Sequence, residues 1–120
     1  MEIAAKLVVA LVAMVHLYFL VLEMFLWRRD RIRAIFGTTP QFAEASAVLA
    51  ANQGLYNGFL AAGLVFGLIA GGDLGFAVTV FVLSCVIVAG VYGGFTVNRR
   101  VVFVQALPAA LALLLTLLAR

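Results

Sequence analysis

Charged residues are scarce in this chain of 120 residues: they make up 11% of it, whereas hydrophobic residues make up 67%. A soluble globular domain carries roughly a quarter charged and half apolar residues. A chain of this length cannot bury so much apolar surface inside its own core, so we expect the surrounding solvent to be lipid. The same length predicts one domain.

The motifs of several chemistries are also missing. The single cysteine, Cys85, cannot form an intramolecular disulfide. No phosphate-binding glycine loop, serine-nucleophile motif or pair of metal-ligating His or Cys residues occurs. His16 and Glu23 lie about 10 Å apart along one helix, so they cannot bind the same ion. The arginines border apolar spans and do not form a nucleic-acid-binding surface. The sequence therefore predicts no metal, no cofactor and no nucleic-acid partner.

Four apolar segments are long enough to cross a bilayer core of about 30 Å, which takes about 20 helical residues. They cover residues 3–27, 40–70, 74–97 and 101–119. The first exceeds the roughly 7–15 residues of a signal-peptide core and ends in arginines, so we interpret it as a retained transmembrane helix. The prediction is an all-α polytopic membrane protein, a compact four-helix bundle forming one domain over residues 1–120, in contact with membrane lipids.

Basic residues are distributed unevenly between the connectors. The first and third connectors hold six arginines: Arg28, Arg29, Arg31, Arg33, Arg99 and Arg100. The other side has only Lys6 and Arg120. Because cytoplasmic loops of membrane proteins are enriched in Lys and Arg, we expect both ends of the chain to be non-cytoplasmic. Helical spans argue against an outer-membrane β-barrel.

The second span has clear helix signals. Thr39 supplies a capping hydroxyl directly before Pro40, which is favoured at the first position of a helix. Small residues recur every four positions at Ala50, Gly54, Gly58 and Ala62, and Gly90 and Gly94 repeat this spacing in the third span. Such spacing predicts close approach of helix backbones.

Polar side chains inside the spans are the candidate site residues, because a polar group in lipid costs several kcal/mol unless it finds a partner. Depths counted at 1.5 Å per residue predict two layers. The first, roughly 6–8 Å inside the cytoplasmic edge, contains Glu23, Glu44 and Gln105. The second, at roughly 18–20 Å, contains His16, Asn52, Gln53 and Tyr56.

These residues suggest a binding site with acid–base chemistry. His16 and Glu23 are the candidate catalytic acid–base pair, since both are ionisable groups within a membrane span. The candidate ligand-binding residues are Asn52, Gln53, Tyr56, Asn57, Glu44 and Gln105. Carboxamides also bond helices to each other in membranes, so a purely structural role stays open for them.

Two passages resemble a bacterial membrane family. One is His16-Leu17-Tyr18-Phe19 with Glu23-Met24-Phe25-Leu26-Trp27, and the other is Ala51-Asn52-Gln53-Gly54-Leu55-Tyr56-Asn57-Gly58. Together with Gln105 and Pro108 they are similar, over the whole chain, to the family called domain of unknown function thirteen-oh-four. The resemblance implies a four-helix membrane protein without an assigned activity.

Three functional hypotheses remain. The first is an intramembrane pocket for a small amphipathic or lipid-like molecule, with proton exchange by His16 and Glu23 if the protein is an enzyme. The second is a proton-coupled transporter working as a dimer, which would make the protein a homo-oligomer; it is supported by the number and length of helices alone. The third is a structural or partner-binding bundle without a ligand site.

Overall fold

The computed structural model describes residues 2–120, which are almost entirely helical. The helices are α1 Glu2–Met24, α2 Asp30–Phe36, α3 Pro40–Ala70, α4 Gly72–Thr96 and α5 Leu107–Ala119. A π-helical turn, Val102–Ala106, leads directly into α5. Because the described residues contain no strand, the all-α prediction is confirmed.

Four helical stretches are long and apolar enough to cross a membrane: Glu2–Met24, Pro40–Ala70, Gly72–Thr96 and Val102–Ala119. They correspond to the four predicted spans, and α3 has the predicted bounds. The first span ends at Met24, three residues earlier than predicted. Beyond this end the indole of Trp27 packs on Phe36, with 4.9 Å between the ring centroids.

The first connector contains a short helix, α2, that was not predicted. Asp30 in its first turn forms an ion pair with Arg33, and an acidic residue at that end of a helix is favoured by the helix dipole. The helix ends at Gly37, which has φ 69° in the left-handed region. Glycine is the residue that adopts this conformation most readily at a helix end. The arginines of this connector therefore belong to ordered structure.

The start of α3 agrees with its sequence signals. The backbone N–H of Phe42 donates to the hydroxyl of Thr39 at 3.1 Å, and Pro40 is the first helical residue. The predicted cap is confirmed.

The chain divides into two compact units. The first, which we call the α1–α3 unit, is Val15–Phe59 and contains the second part of α1 and the first part of α3. The second, which we call the α4–α5 unit, consists of the residues up to Met14 together with Leu60–Arg120. The core of the α4–α5 unit is made of small and branched apolar side chains: Val9, Val12, Ala13, Leu64, Leu83, Val86, Ala109 and Ala112. The single domain over residues 1–120 stays a prediction.

Glycines bring helices close together within each unit. In the α1–α3 unit, a Cβ added at Gly58 would lie 2.6 Å from Cδ1 of Leu20, and one at Gly54 would lie 3.2 Å from the Leu20 carbonyl oxygen. In the α4–α5 unit, a Cβ at Gly90 would lie 2.6 Å from the backbone nitrogen of Ala106. These distances confirm the close approach predicted from the spacing of small residues.

Candidate functional site

Glu23 and Asn57 form the central polar contact of the α1–α3 unit. The Asn57 side-chain amide donates to Oε1 of Glu23 at 2.6 Å. Asn57 is buried and Glu23 is half-buried. Within residues 2–120, no ion pair involves Glu23. A carboxyl group in an apolar span is thus held by a neutral amide.

Glycines explain why this contact forms. Gly54 lies one turn before Asn57, and a Cβ there would lie 3.1 Å from Cβ of Glu23. Gly58 directly follows Asn57 and faces Leu20. The absence of side chains at both positions brings α3 close to α1, so the short asparagine side chain reaches the carboxyl group.

His16 is completely buried, with 0% of its surface exposed. Its ring meets that of Phe19 edge to face, at 5.6 Å between centroids and 77° between planes. The imidazole and the Glu23 carboxyl group do not bond to each other, because seven residues separate them on one helix, about 10 Å. The structure therefore brings Glu23 together with Asn57 and keeps His16 apart from that contact.

Three predicted binding residues lie on the exposed face of α3: Asn52, Gln53 and Tyr56. They fall within an arc of about 100° on the helix surface, and we call them the α3 stripe. Their neighbours on this face are apolar, with Val48 82% and Leu49 73% exposed. None of the three makes a side-chain hydrogen bond within residues 2–120. The stripe is thus a set of hydrogen-bonding groups on an apolar surface.

Glu44 belongs to a different environment, near the start of α3. Its carboxylate accepts from Nε of Arg28 at 2.6 Å and from Nη2 at 3.3 Å. Both side chains are largely exposed, and the Glu44 carboxylate raises the pKa of Arg28. Nearby, the indole N–H of Trp27 donates to the hydroxyl of Ser46 at 3.1 Å. These contacts fasten the start of α3 to the basic connector.

The prediction that Glu23 and Glu44 share a layer was wrong. Glu23 meets Asn57, whereas Glu44 lies thirteen residues earlier on α3, about 20 Å along its axis. The predicted depths assumed that α1 ends at the level where α3 begins. In the structure the first turns of α3 lie beside Trp27 and Arg28, beyond the end of α1.

Gln105 lies in the π-helical turn of the α4–α5 unit and is half-buried. The N–H of Leu107 donates to the carbonyl of Val102, five residues back. Pro108 has no N–H to give to the carbonyl of Val104, so the regular α-helical pattern is already interrupted here. The π-helical turn was not predicted, although Pro108 indicates in the sequence that the α-helical hydrogen-bond pattern is interrupted here.

Comparison with known proteins identifies the family to which this chain belongs. The family model described as "Protein of unknown function (DUF1304)" matches residues 10–117, which include every candidate site residue. The chain belongs to this family. This DUF1304 protein is also similar to "Uncharacterized protein YpaA" from Lactococcus lactis subsp. lactis (strain IL1403). The two are 29% identical over 106 residues, covering 87% of this chain and 88% of the relative. No solved structure matches. The resemblance inferred from the sequence is confirmed.

Proposed function

We propose that this DUF1304 protein is a multi-pass protein of the bacterial inner membrane that binds an amphipathic, lipid-like molecule along the α3 stripe. One observation carries the proposal: Asn52, Gln53 and Tyr56 are exposed together on an apolar face of a helix long enough to cross a membrane. Binding supplies the hydrogen-bond partners that this face lacks.

The energetics favour a bound molecule over bare hydrocarbon. Each carboxamide offers two donors and an acceptor, and a phenol offers one donor and an acceptor. A polar group in hydrocarbon costs several kcal/mol when it is unpaired. A molecule with an alkyl chain and a hydrogen-bonding group satisfies both the apolar and the polar parts of the face.

The stripe also indicates the chemistry of the ligand. None of its three side chains is charged, so it suits a neutral group with carbonyl or hydroxyl oxygens. Asn52 lies six residues after Ser46, about 9 Å further along α3. If Ser46 and Trp27 mark the membrane surface, the polar group of the ligand lies inside the hydrocarbon region and not at the headgroups.

The Glu23–Asn57 contact stabilises the orientation of α3 in which the stripe is exposed. Asn57 follows Tyr56 directly, and its hydrogen bond to Glu23 fixes the rotation of α3 about its own axis. That rotation is what leaves Asn52 and Tyr56 on the exposed face. Acid–base chemistry by His16 and Glu23 is not required for binding and stays a prediction.

A first test concerns binding itself. We expect the triple variant Asn52→Leu, Gln53→Leu, Tyr56→Phe to lose about 10- to 100-fold in affinity for the copurifying ligand, because two or three hydrogen bonds of about 1 kcal/mol each are removed. Native mass spectrometry of protein purified in a mild detergent measures the bound fraction. Val48→Leu with Leu49→Val is the matched control, since it changes the same face without changing its polarity.

Equal ligand occupancy in the wild type and the triple variant would contradict the proposal. A change from dimer to monomer in the triple variant, with no bound ligand in either protein, would also contradict it. The stripe would then pair with a second copy of the chain, as carboxamides do across membrane helices.

The proposal includes an orientation with both ends of the chain outside the cytoplasm. The arginines in the connector before α3 and in the Asn98-Arg99-Arg100 connector support this orientation, because cytoplasmic loops are enriched in Lys and Arg. We expect alkaline phosphatase fused after Arg120 to be active and the same fusion after Gly37 to be inactive. A fluorescent protein that matures in the cytoplasm should give the reverse result at both sites. The opposite pattern would show that the orientation is inverted.

A further inference from the structure

A cavity of about 340 Å³ lies in the α4–α5 unit, and none of its lining residues belongs to the α3 stripe. It forms where α1 begins, α3 ends, α4 begins and α5 ends, so the ends of four helical stretches surround it. Ligand pockets in proteins commonly occupy about 300–1,000 Å³. The cavity is therefore large enough for a small polar group.

Two ion pairs lie at the mouth of this cavity. Lys6 and Glu2 are 3.0 Å apart, and Arg120 and Asp73 are 3.0 Å apart. All four side chains are at least half exposed, and exposed pairs of this kind contribute little to stability. They can exchange their partners for a ligand at small cost. The mouth thus presents two cations and two carboxylates.

The interior of the cavity has an available hydroxyl group. Thr79 lines it and is only 5% exposed. Its hydroxyl makes no hydrogen bond to any other part of the chain that the structure describes. Because this hydroxyl has no partner within residues 2–120, it can donate a hydrogen bond to a polar ligand atom that enters the cavity.

Four glycines line one wall of the cavity. Gly71 and Gly72 have φ 61° and 58°, and an added Cβ at either would meet nothing within 4 Å. Gly67 and Gly75, on α3 and α4, complete the wall and approach each other closely.

We propose that this cavity binds a zwitterionic phosphoethanolamine group. The phosphate lies between the cations Lys6 and Arg120 and accepts from the Thr79 hydroxyl, while the ammonium lies at the carboxylates Glu2 and Asp73. Equal numbers of both charges disfavour a ligand with a net charge. A headgroup of a membrane lipid and free phosphoethanolamine share this chemistry, and the ends of apolar spans are where lipid headgroups occur.

The test uses the full chain in detergent and three probes: dihexanoyl phosphatidylethanolamine, dihexanoyl phosphatidylglycerol and O-phosphoethanolamine. We expect the first to raise the temperature of unfolding and the second, which has a net negative charge, to leave it unchanged. Thr79→Val and Lys6→Gln should each weaken binding of the first probe by about tenfold, as each removes a hydrogen bond to a charged group. Lys6 is exposed, so its variant should fold even if Thr79→Val does not.

Two controls separate the cavity from general effects. Thr96→Val makes the same change on α4 at an exposed position outside the cavity, and Arg31→Gln removes a cation elsewhere; both should bind like the wild type. If O-phosphoethanolamine binds as tightly as the lipid, the ligand is a soluble zwitterion. If only the lipid binds, it is a headgroup. Equal binding of the phosphatidylglycerol, unchanged binding in both cavity variants, or no binding of any probe would overturn the proposal.

Discussion

Gly90→Leu is expected to lower the free energy of unfolding by about 3 kcal/mol or more, the upper end for overpacked positions. A Cβ at Gly90 would lie 2.6 Å from the nitrogen, 2.8 Å from Cβ and 2.9 Å from Cα of Ala106. These atoms belong to the backbone or are attached directly to it. No flexible side chain can move aside, so α4 and the π-helical turn must separate.

Reversible unfolding in mixed micelles, followed by circular dichroism, measures this effect. Gly90→Ala should give a smaller loss, about 1–3 kcal/mol, because it adds only the first clashing atom. Ala89→Leu is the matched control, since Ala89 is the neighbouring residue on α4 and is exposed. A stability of Gly90→Leu within about 0.5 kcal/mol of the wild type, the range of surface substitutions, would show that the two backbones are not in contact.

Asn57→Leu is expected to lower the free energy of unfolding by about 1–3 kcal/mol, because it leaves the half-buried carboxyl group of Glu23 without a hydrogen-bond partner. Its amide donates to Glu23 at 2.6 Å, and no other residue of the described chain bonds to that carboxyl group. Leucine has the same number and branching of side-chain heavy atoms as asparagine but cannot donate. Glu23→Gln should cost less, because its amide oxygen can still accept from Asn57.

The double variant Glu23→Leu, Asn57→Leu separates the contact from other effects of each change. Because removing both partners leaves no unpaired group, its loss should be smaller, by more than about 0.5 kcal/mol, than the sum of the losses measured for Glu23→Leu and Asn57→Leu alone. Additive losses would contradict the contact. Proton-linked solute uptake that disappears in Glu23→Gln while stability is kept would instead favour the transporter hypothesis.

Local signals in the sequence predicted much of the fold. Length and composition of the apolar runs identified the four long helices, and Thr39 with Pro40 located the start of α3. The spacing of Gly54, Gly58 and Gly90 correctly indicated close helix contacts. These features depend on residues that are close to each other in the sequence, so they can be recognised without knowledge of the neighbouring helices.

The faces of the helices could not be predicted in the same way. In a soluble protein, alternation of polar and apolar residues distinguishes the buried face of a helix. Here both faces are apolar: Leu64 is 0% and Val48 is 82% exposed on the same helix. The sequence therefore did not show that Asn57 points inward while Asn52 lies on the exposed face, and both were predicted as ligand-binding residues.

The π-helical turn has a consequence for the design of variants in the last span. It accommodates one residue more than an α-helix would over the same length, so the residues before it are out of phase by about 100° with those after it. Ala109 and Ala112 are buried after the turn, and Val102 packs against Gly94 before it. A helical wheel extended backwards from α5 would therefore be in error by about 100° for residues 101–104.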